Sequence, residues 1–135
     1  MVGARSRTSD GRPCPCGAGL PYADCCGPLH RGDTEAATPE QLVRSRYSAF
    51  AVGNADYLLR TWHATTRPAA LKLDPRMRWV RLDVLQSTGG LLATEGTVHF
   101  RAHYVGPDGE AVLTENSRFR RENRRWMYLG PLTSA

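Results

Sequence analysis

Four cysteines, Cys14, Cys16, Cys25 and Cys26, fall within thirteen residues, and the 135-residue chain has no other. They form two close pairs, C-x-C and C-C, inside the run CPCGAGLPYADCCG. Two such pairs let a short loop fold four thiolates around one tetrahedral ion, with metal–sulfur bonds of about 2.3 Å for zinc. Gly17 and Gly19 give the backbone freedom to turn tightly beside Cys16. Disulfides fit less well. Bridges within so short a segment would close only small loops, and a bond between the adjacent Cys25 and Cys26 would be badly strained. A thiol redox centre of the thioredoxin kind needs C-x-x-C, which this chain lacks. The pattern therefore predicts a metal centre with zinc as the first choice, mononuclear iron in the same tetrathiolate cage being the alternative. Four protein ligands leave no position for a catalytic water, so the site reads as structural or as a recognition knob. His30 is expected to be a solvated loop histidine and not a fifth ligand.

The composition fits one ordinary domain joined to that knuckle. Hydrophobic residues make up 41% and charged residues 23%, enough for a packed core. Residues 1–13 read as a disordered polar tail, 14–33 as the metal knuckle and its exit loop, and 38–135 as a domain free of cysteine. Met1 to Arg12 has no apolar stretch of the signal-peptide kind, and no run approaches the roughly 18 apolar residues of a membrane span. A reducing, cytoplasmic setting follows, with no membrane partner. The formal charge is +5, and a divalent ion bound by four thiolates would bring it to about +3 by ligand counting.

The elements that must position this site begin at Thr38-Pro39-Glu40-Gln41, a helix start with Thr38 as N-cap, Pro39 at N1 and Gln41 completing a capping box. Leu42, Val43, Tyr47, Ala49 and Phe50 then give one apolar face, with Arg44 and Ser48 outside. Gly53-Asn54 ends that helix. A second covers Ala55 to His63, and a third short stretch is expected near Arg67–Leu73. From Arg78 the period changes to two. Strands are predicted at Trp79–Leu85, Leu91–Val105, Ala111–Arg121 and Trp126 to about Leu129, with turns at Gly89-Gly90, Gly106-Pro107-Asp108-Gly109 and Glu122-Asn123-Arg124. Helices followed by antiparallel strands define an α+β fold, its helices packed on one face of the sheet.

Two further groups of side chains invite function. In the third strand, Leu113, Glu115, Ser117 and Phe119 share a face, which puts a carboxylate among apolar neighbours where it needs a partner. Arg46, Tyr47, Trp62 or His63 from the helices can supply one. With Tyr104 these residues outline a pocket in which Glu115 is an acid, a base or a ligand anchor, or simply a structural tie. Arg118, Arg120, Arg121, Arg124 and Arg125 form the densest basic cluster, a candidate patch for an anionic partner such as nucleic acid. His99 and His103, four residues apart on a strand, lie about 13 Å from each other and cannot chelate one ion.

The run CPCGAGLPYADCCG resembles the SEC-C motif, named for the C-terminal zinc-binding tail of the preprotein translocase ATPase SecA. TPEQLVRSRYSAF, ADYLLRTWH and ENSRF…RRWMYLGP resemble the YchJ-like family of small bacterial proteins. The resemblance implies a cone-like domain similar to nuclear transport factor 2, with helices against a strongly curved antiparallel sheet. It implies Cys14, Cys16, Cys25 and Cys26 as ligands. Because the SecA tail contacts the chaperone SecB and the ribosome, it also implies a protein or ribosome partner for the knuckle, whose surface would contain Leu20, Pro21, Tyr22 and Leu29. Fold alone assigns no activity. The leading expectation is a non-catalytic interaction module. The alternative is a small-molecule-binding protein or enzyme using the cone around Glu115.

Overall fold

The computed structural model describes residues 12–90 and 92–132. The expected tail thus lies outside the described residues as far as residue 11, as does Leu91. After a 3-10 turn at Tyr22–Asp24 come three helices, α1 (Cys26–Arg31), α2 (Pro39–Val52) and α3 (Ala55–Arg60). Four strands follow: β1 (Arg78–Ser87), β2 (Glu95–Gly106), β3 (Gly109–Glu122) and β4 (Arg125–Pro131). They pair in order β1-β2-β3-β4, each antiparallel to the next. Register shifts at Trp79/Arg81, Val84/Gln86 and Arg118/Phe119 interrupt the ladders, and such bulges bend a sheet and raise its twist. The expected α+β fold with a curved sheet is the one observed.

Helix α2 begins as its sequence dictates. Thr38 Oγ1 accepts the Gln41 amide at 3.1 Å. The return contact falls one residue earlier than in a standard capping box, because Gln41 Oε1 accepts from Ala37 N at 2.7 Å. Gly53, left-handed at φ 79°, closes the helix, and Asn54 Oδ1 caps α3 through Tyr57 N.

The apolar edge of α2 meets the concave face of the sheet. Leu42, Val43 and Tyr47 pack with Leu82, Val98, Ala102, Phe119 and Trp126 in the main core. The Trp126 indole N–H donates to Ala37 O at 3.2 Å and ties β4 to the entry of α2. A second core joins Leu29 of α1 to Ala49, Tyr57 and Leu58, with Leu71 and Leu73 against it. The knuckle is therefore seated in the body of the protein.

Three expectations are corrected. Ser48 and Arg44 are not on a solvated side of α2: Ser48 is fully buried and Arg44 half-buried. Helix α3 stops at Arg60 instead of running to His63, because residues 61–63 pair with β4. His63 N donates to Tyr128 O at 2.7 Å and Tyr128 N to Thr61 O at 2.8 Å. No helix forms over 67–73, since the span between Pro68 and Pro75 is too short to recover the cost of nucleation. Leu71 and Leu73 reach the second core from irregular backbone instead.

Candidate functional site

The cysteine cluster is assembled by local hydrogen bonds. Pro13 bridges Pro21, and Cys14 N donates to Leu20 O at 2.9 Å, so residues 13–21 close as a minute hairpin. Gly17 and Gly19 turn it at φ 79° and 95°, the left-handed region where a side chain is strained. Arg12 O accepts from Tyr22 N at 2.8 Å, so the ordered hairpin already includes residues 12 and 13. The 3-10 turn then delivers Cys25, and the first residue of α1 delivers Cys26.

All four sulfurs lie within 4.8 Å of one another. Cys16 and Cys25 Sγ are 3.6 Å apart, and Cys25 and Cys26 Sγ 4.0 Å. Four sulfurs at about 2.3 Å from one ion stand about 3.8 Å apart at the corners of a tetrahedron. The residues present fit that group, and all four cysteines are free thiols. Their electrostatics agree. Hydrogen bonding from Cys16 holds the Cys14 thiol far below its ordinary value, whereas burial pushes Cys25 up to about 12. The hydrogen bond with Cys14 pushes Cys26 up as well. So close a set does not ionise fully without a cation among the sulfurs.

Around the sulfurs, α2 supplies the supporting contacts. Cys14 Sγ meets Ser48 Oγ at 3.2 Å, and Cys26 Sγ faces Arg44 O at 3.7 Å. Arg44 Nη1 donates to Cys16 O at 2.9 Å while its Nε holds Glu40 at 3.1 Å. Such outer contacts orient ligands and set their basicity. His30 is the main departure from expectation. It is buried, not solvated, and its Nε2–H donates to the Ser45 carbonyl at 2.8 Å. Nδ1 must then accept from the Tyr22 hydroxyl at 2.6 Å, so the ring is a neutral tie between knuckle and helix. Burial lowers its pKa in accord with that state. Leu29 is likewise buried, so it does not belong to an outward knuckle surface. Leu20 does, at 50% exposed.

The opposite edge of α2 lines a cavity of about 190 Å³. Of the residues expected there, Tyr47, Trp62, Glu115 and Ser117 line it. His63 and Tyr104 do not. His63 Nδ1 meets Thr65 Oγ1 at 2.8 Å and its Nε2 faces Glu122 Oε2 at 3.0 Å. Tyr104 packs on Trp79 with ring centroids 5.0 Å apart. Glu115 Oε2 accepts from Ser117 Oγ at 2.6 Å and from Tyr128 Oη at 2.7 Å. Tyr128 is the partner that sequence reading missed. Its only signal was alternation in the short last strand, where it follows Trp126 by two residues. Burial raises its pKa, so the hydroxyl is a donor at neutral pH.

The arginine cluster is interleaved with carboxylates. Arg118 and Arg120 stand opposite Thr97 and Glu95, and Arg120 lies 4.0 Å from both Glu95 and Glu122. Arg124 occupies the hairpin tip at φ 67°, and Arg125 is 3.9 Å from Glu35. Arg121 N donates to Thr94 O at 2.8 Å. Interleaved carboxylates weaken the case for a nucleic-acid face.

An α+β cone carrying an N-terminal tetracysteine knuckle defines the class. The chain belongs to the YchJ-like family: the family model described as "YchJ, middle NTF2-like domain" matches residues 38–131, and that of the SEC-C motif matches residues 13–28. It is 52% identical over 117 residues to UPF0225 protein SCO1677 of Streptomyces coelicolor, covering 86% of this chain and 91% of that protein. A UPF0225 protein of Deinococcus radiodurans is 44% identical over 119 residues, covering 87% of each. The solution structure of RPA3114, a SEC-C motif containing protein from Rhodopseudomonas palustris, superposes with a TM-score of 0.78 at 33% identity, covering 90% of this chain and 98% of that one. A SEC-C motif containing protein from Psychrobacter arcticus gives 0.76 at 28%, covering 95% and 86%. Motif and cysteine cluster together mark a metal-binding protein. Among the described residues no helix is long and apolar enough to cross a membrane.

Proposed function

We propose that the chain is a zinc-holding, non-catalytic recognition module of the bacterial cytoplasm. In it the ion fixes the 14–33 knuckle on the 38–135 domain, and the exposed rim of the knuckle meets a protein or ribosome partner. The observation that carries this reading is the closed set of four sulfurs within 4.8 Å, tied to α2 through Ser48 and Arg44. Four sulfur ligands suit zinc, with iron in the same cage as the alternative, and complete the shell with no site for a reacting water. Four free thiols suit a reducing compartment.

Cys14, Cys16, Cys25 and Cys26 would hold the ion, which supplies rigidity and not chemistry. The chain's own residues set the rim. Leu20 stands beside a groove that is also lined by Asp24, Glu40, Gln41 and Arg44, an apolar anchor next to both signs of charge. Co-sedimentation with 70S ribosomes tests this. The metal-loaded wild type is expected to pellet, and Leu20→Asp, which leaves every ligand in place, to bind about tenfold more weakly. Equal binding by the two proteins would remove the rim as the contact surface.

A further inference from the structure

We infer that the cavity between α2 and the sheet is a binding site for a small neutral molecule, a single aromatic ring bearing an amide or ring-lactam edge. Its volume is the first argument. An apolar cavity of roughly 150 Å³ takes up benzene, and this one, about 190 Å³, leaves room for one ring and a compact substituent. Its walls are the second. Tyr47, Phe50, Trp79, Phe100 and Phe119 line it, so a flat ring meets aromatic edges and faces from several sides.

The polar end selects the substituent. Arg46 lines the cavity, is only 7% exposed, and is held in place by Nη1, which donates to Leu58 O and Thr61 Oγ1 at 2.7 Å each. Its guanidinium carbon sits 4.5 Å from the Tyr128 ring centroid and 5.1 Å from that of Trp62. Among the described residues, neither Nε nor Nη2 has an acceptor. Arg46 thus keeps N–H groups that no described residue takes up. Glu115 is the counterpart. Its Oε2 is saturated by Ser117 and Tyr128, while Oε1 receives no hydrogen bond from any described residue.

The two charges make no direct ion pair, because Tyr128 stands between them with its ring against Arg46 and its hydroxyl on Glu115. The cavity therefore presents a donor at Arg46 and an acceptor at Glu115, one on each side of Tyr128. An amide edge answers both, its carbonyl accepting from Arg46 and its N–H donating to Glu115 Oε1. A carboxylate ligand would meet Glu115 unfavourably and a cation would meet Arg46, so the neutral group is preferred.

Benzamide is the probe, with toluene, benzoate and benzamidine as comparators, on the full-length, metal-loaded protein. Saturation-transfer NMR and tryptophan fluorescence are expected to show saturable benzamide binding in the millimolar range or tighter, with each comparator at least about tenfold weaker. Glu115→Ala, checked for unchanged metal content and near-ultraviolet dichroism, is expected to weaken benzamide about tenfold and leave toluene unchanged. Leu113→Trp, at an exposed wall position that tolerates bulk, is expected to weaken both by narrowing the mouth. The inference is overturned if benzamide binds no better than toluene, or if benzoate or benzamidine outcompetes it. It is equally overturned if Leu113→Trp leaves all binding intact. None of these outcomes bears on the knuckle's partner, since every ligand cysteine is unchanged.

Discussion

Removing the metal with a strong chelator is expected to lower the melting temperature by about 10 °C or more while the sheet stays folded. Binding of structural zinc to isolated fingers is worth roughly 10–16 kcal/mol, and in such units binding and folding are one event. Here the segment 12–26 has little else to hold it. Its buried residues are the cluster cysteines Cys14, Cys16 and Cys26 themselves, with Tyr22 and Cys25 packed beside them. Without the ion, crowded thiols replace a metal-bound cage, and the contacts of Ser48 and Arg44 with that cage are loosened. The damage then spreads one step. Tyr22 releases His30, whose ring ties α1 to Ser45.

The main core contains no cysteine, so it persists. Hydrogen exchange on the chelated protein reads the difference directly. Amides of Cys14 and Tyr22 are expected to exchange rapidly, while those of Val98 and Ala102 remain protected. Loss of protection in both regions at once would contradict the division into knuckle and domain.

The second large effect is expected at Arg46. Arg46→Ala removes two charge-assisted hydrogen bonds, each worth about 1.5–3 kcal/mol, together with a cation that lies against two aromatic rings. It also widens the cavity. The expected loss is about 3 kcal/mol or more, read as a shift of the urea midpoint at unchanged slope. Burial lowers the Arg46 pKa only to about 10, so the side chain is a cation at neutral pH and these interactions are present there. Arg46→Lys is expected to recover less than half of the loss, because a compact, strongly hydrated ammonium presents no flat face to the Tyr128 and Trp62 rings. Stability within about 0.5 kcal/mol of wild type in Arg46→Ala would show that the buried cation ties nothing together.

What the sequence disclosed and what it hid follow one physical rule. Cysteine spacing is local, and so the clustering of the four cysteines was legible from the chain alone. Strand alternation is local too, and it placed Glu115 and Ser117 on the concave face beside Phe119. Helix α2 was legible in its ends but not in its sides. A single apolar stripe is the ordinary signature of a helix on a sheet, and Leu42, Val43, Tyr47 and Phe50 supplied one. The second buried side is made of small polar residues, Ser45 and Ser48, which are inside because a thiol, a tyrosine and a histidine lie against them.

No local pattern marks a serine that is buried by partners from other segments. The same holds for His30, buried by the fold of the knuckle onto Ser45, and for Leu29, drawn in by Ala49, Tyr57 and Leu58. Tyr128 escaped because its role depends on β4 lying beside β3 across a register shift at Arg118/Phe119. The helix expected over 67–73 failed for a different reason, because favourable residues between two prolines are still too few to nucleate.

X-ray absorption at the zinc edge of the native protein, with elemental analysis of the same sample, reads the proposed tetrathiolate site itself. About one zinc per chain is expected, surrounded by four sulfurs at about 2.3 Å and no nitrogen or oxygen neighbour. A first shell containing a light atom, or a metal content unchanged when Cys25 and Cys26 are replaced by serine, would contradict it.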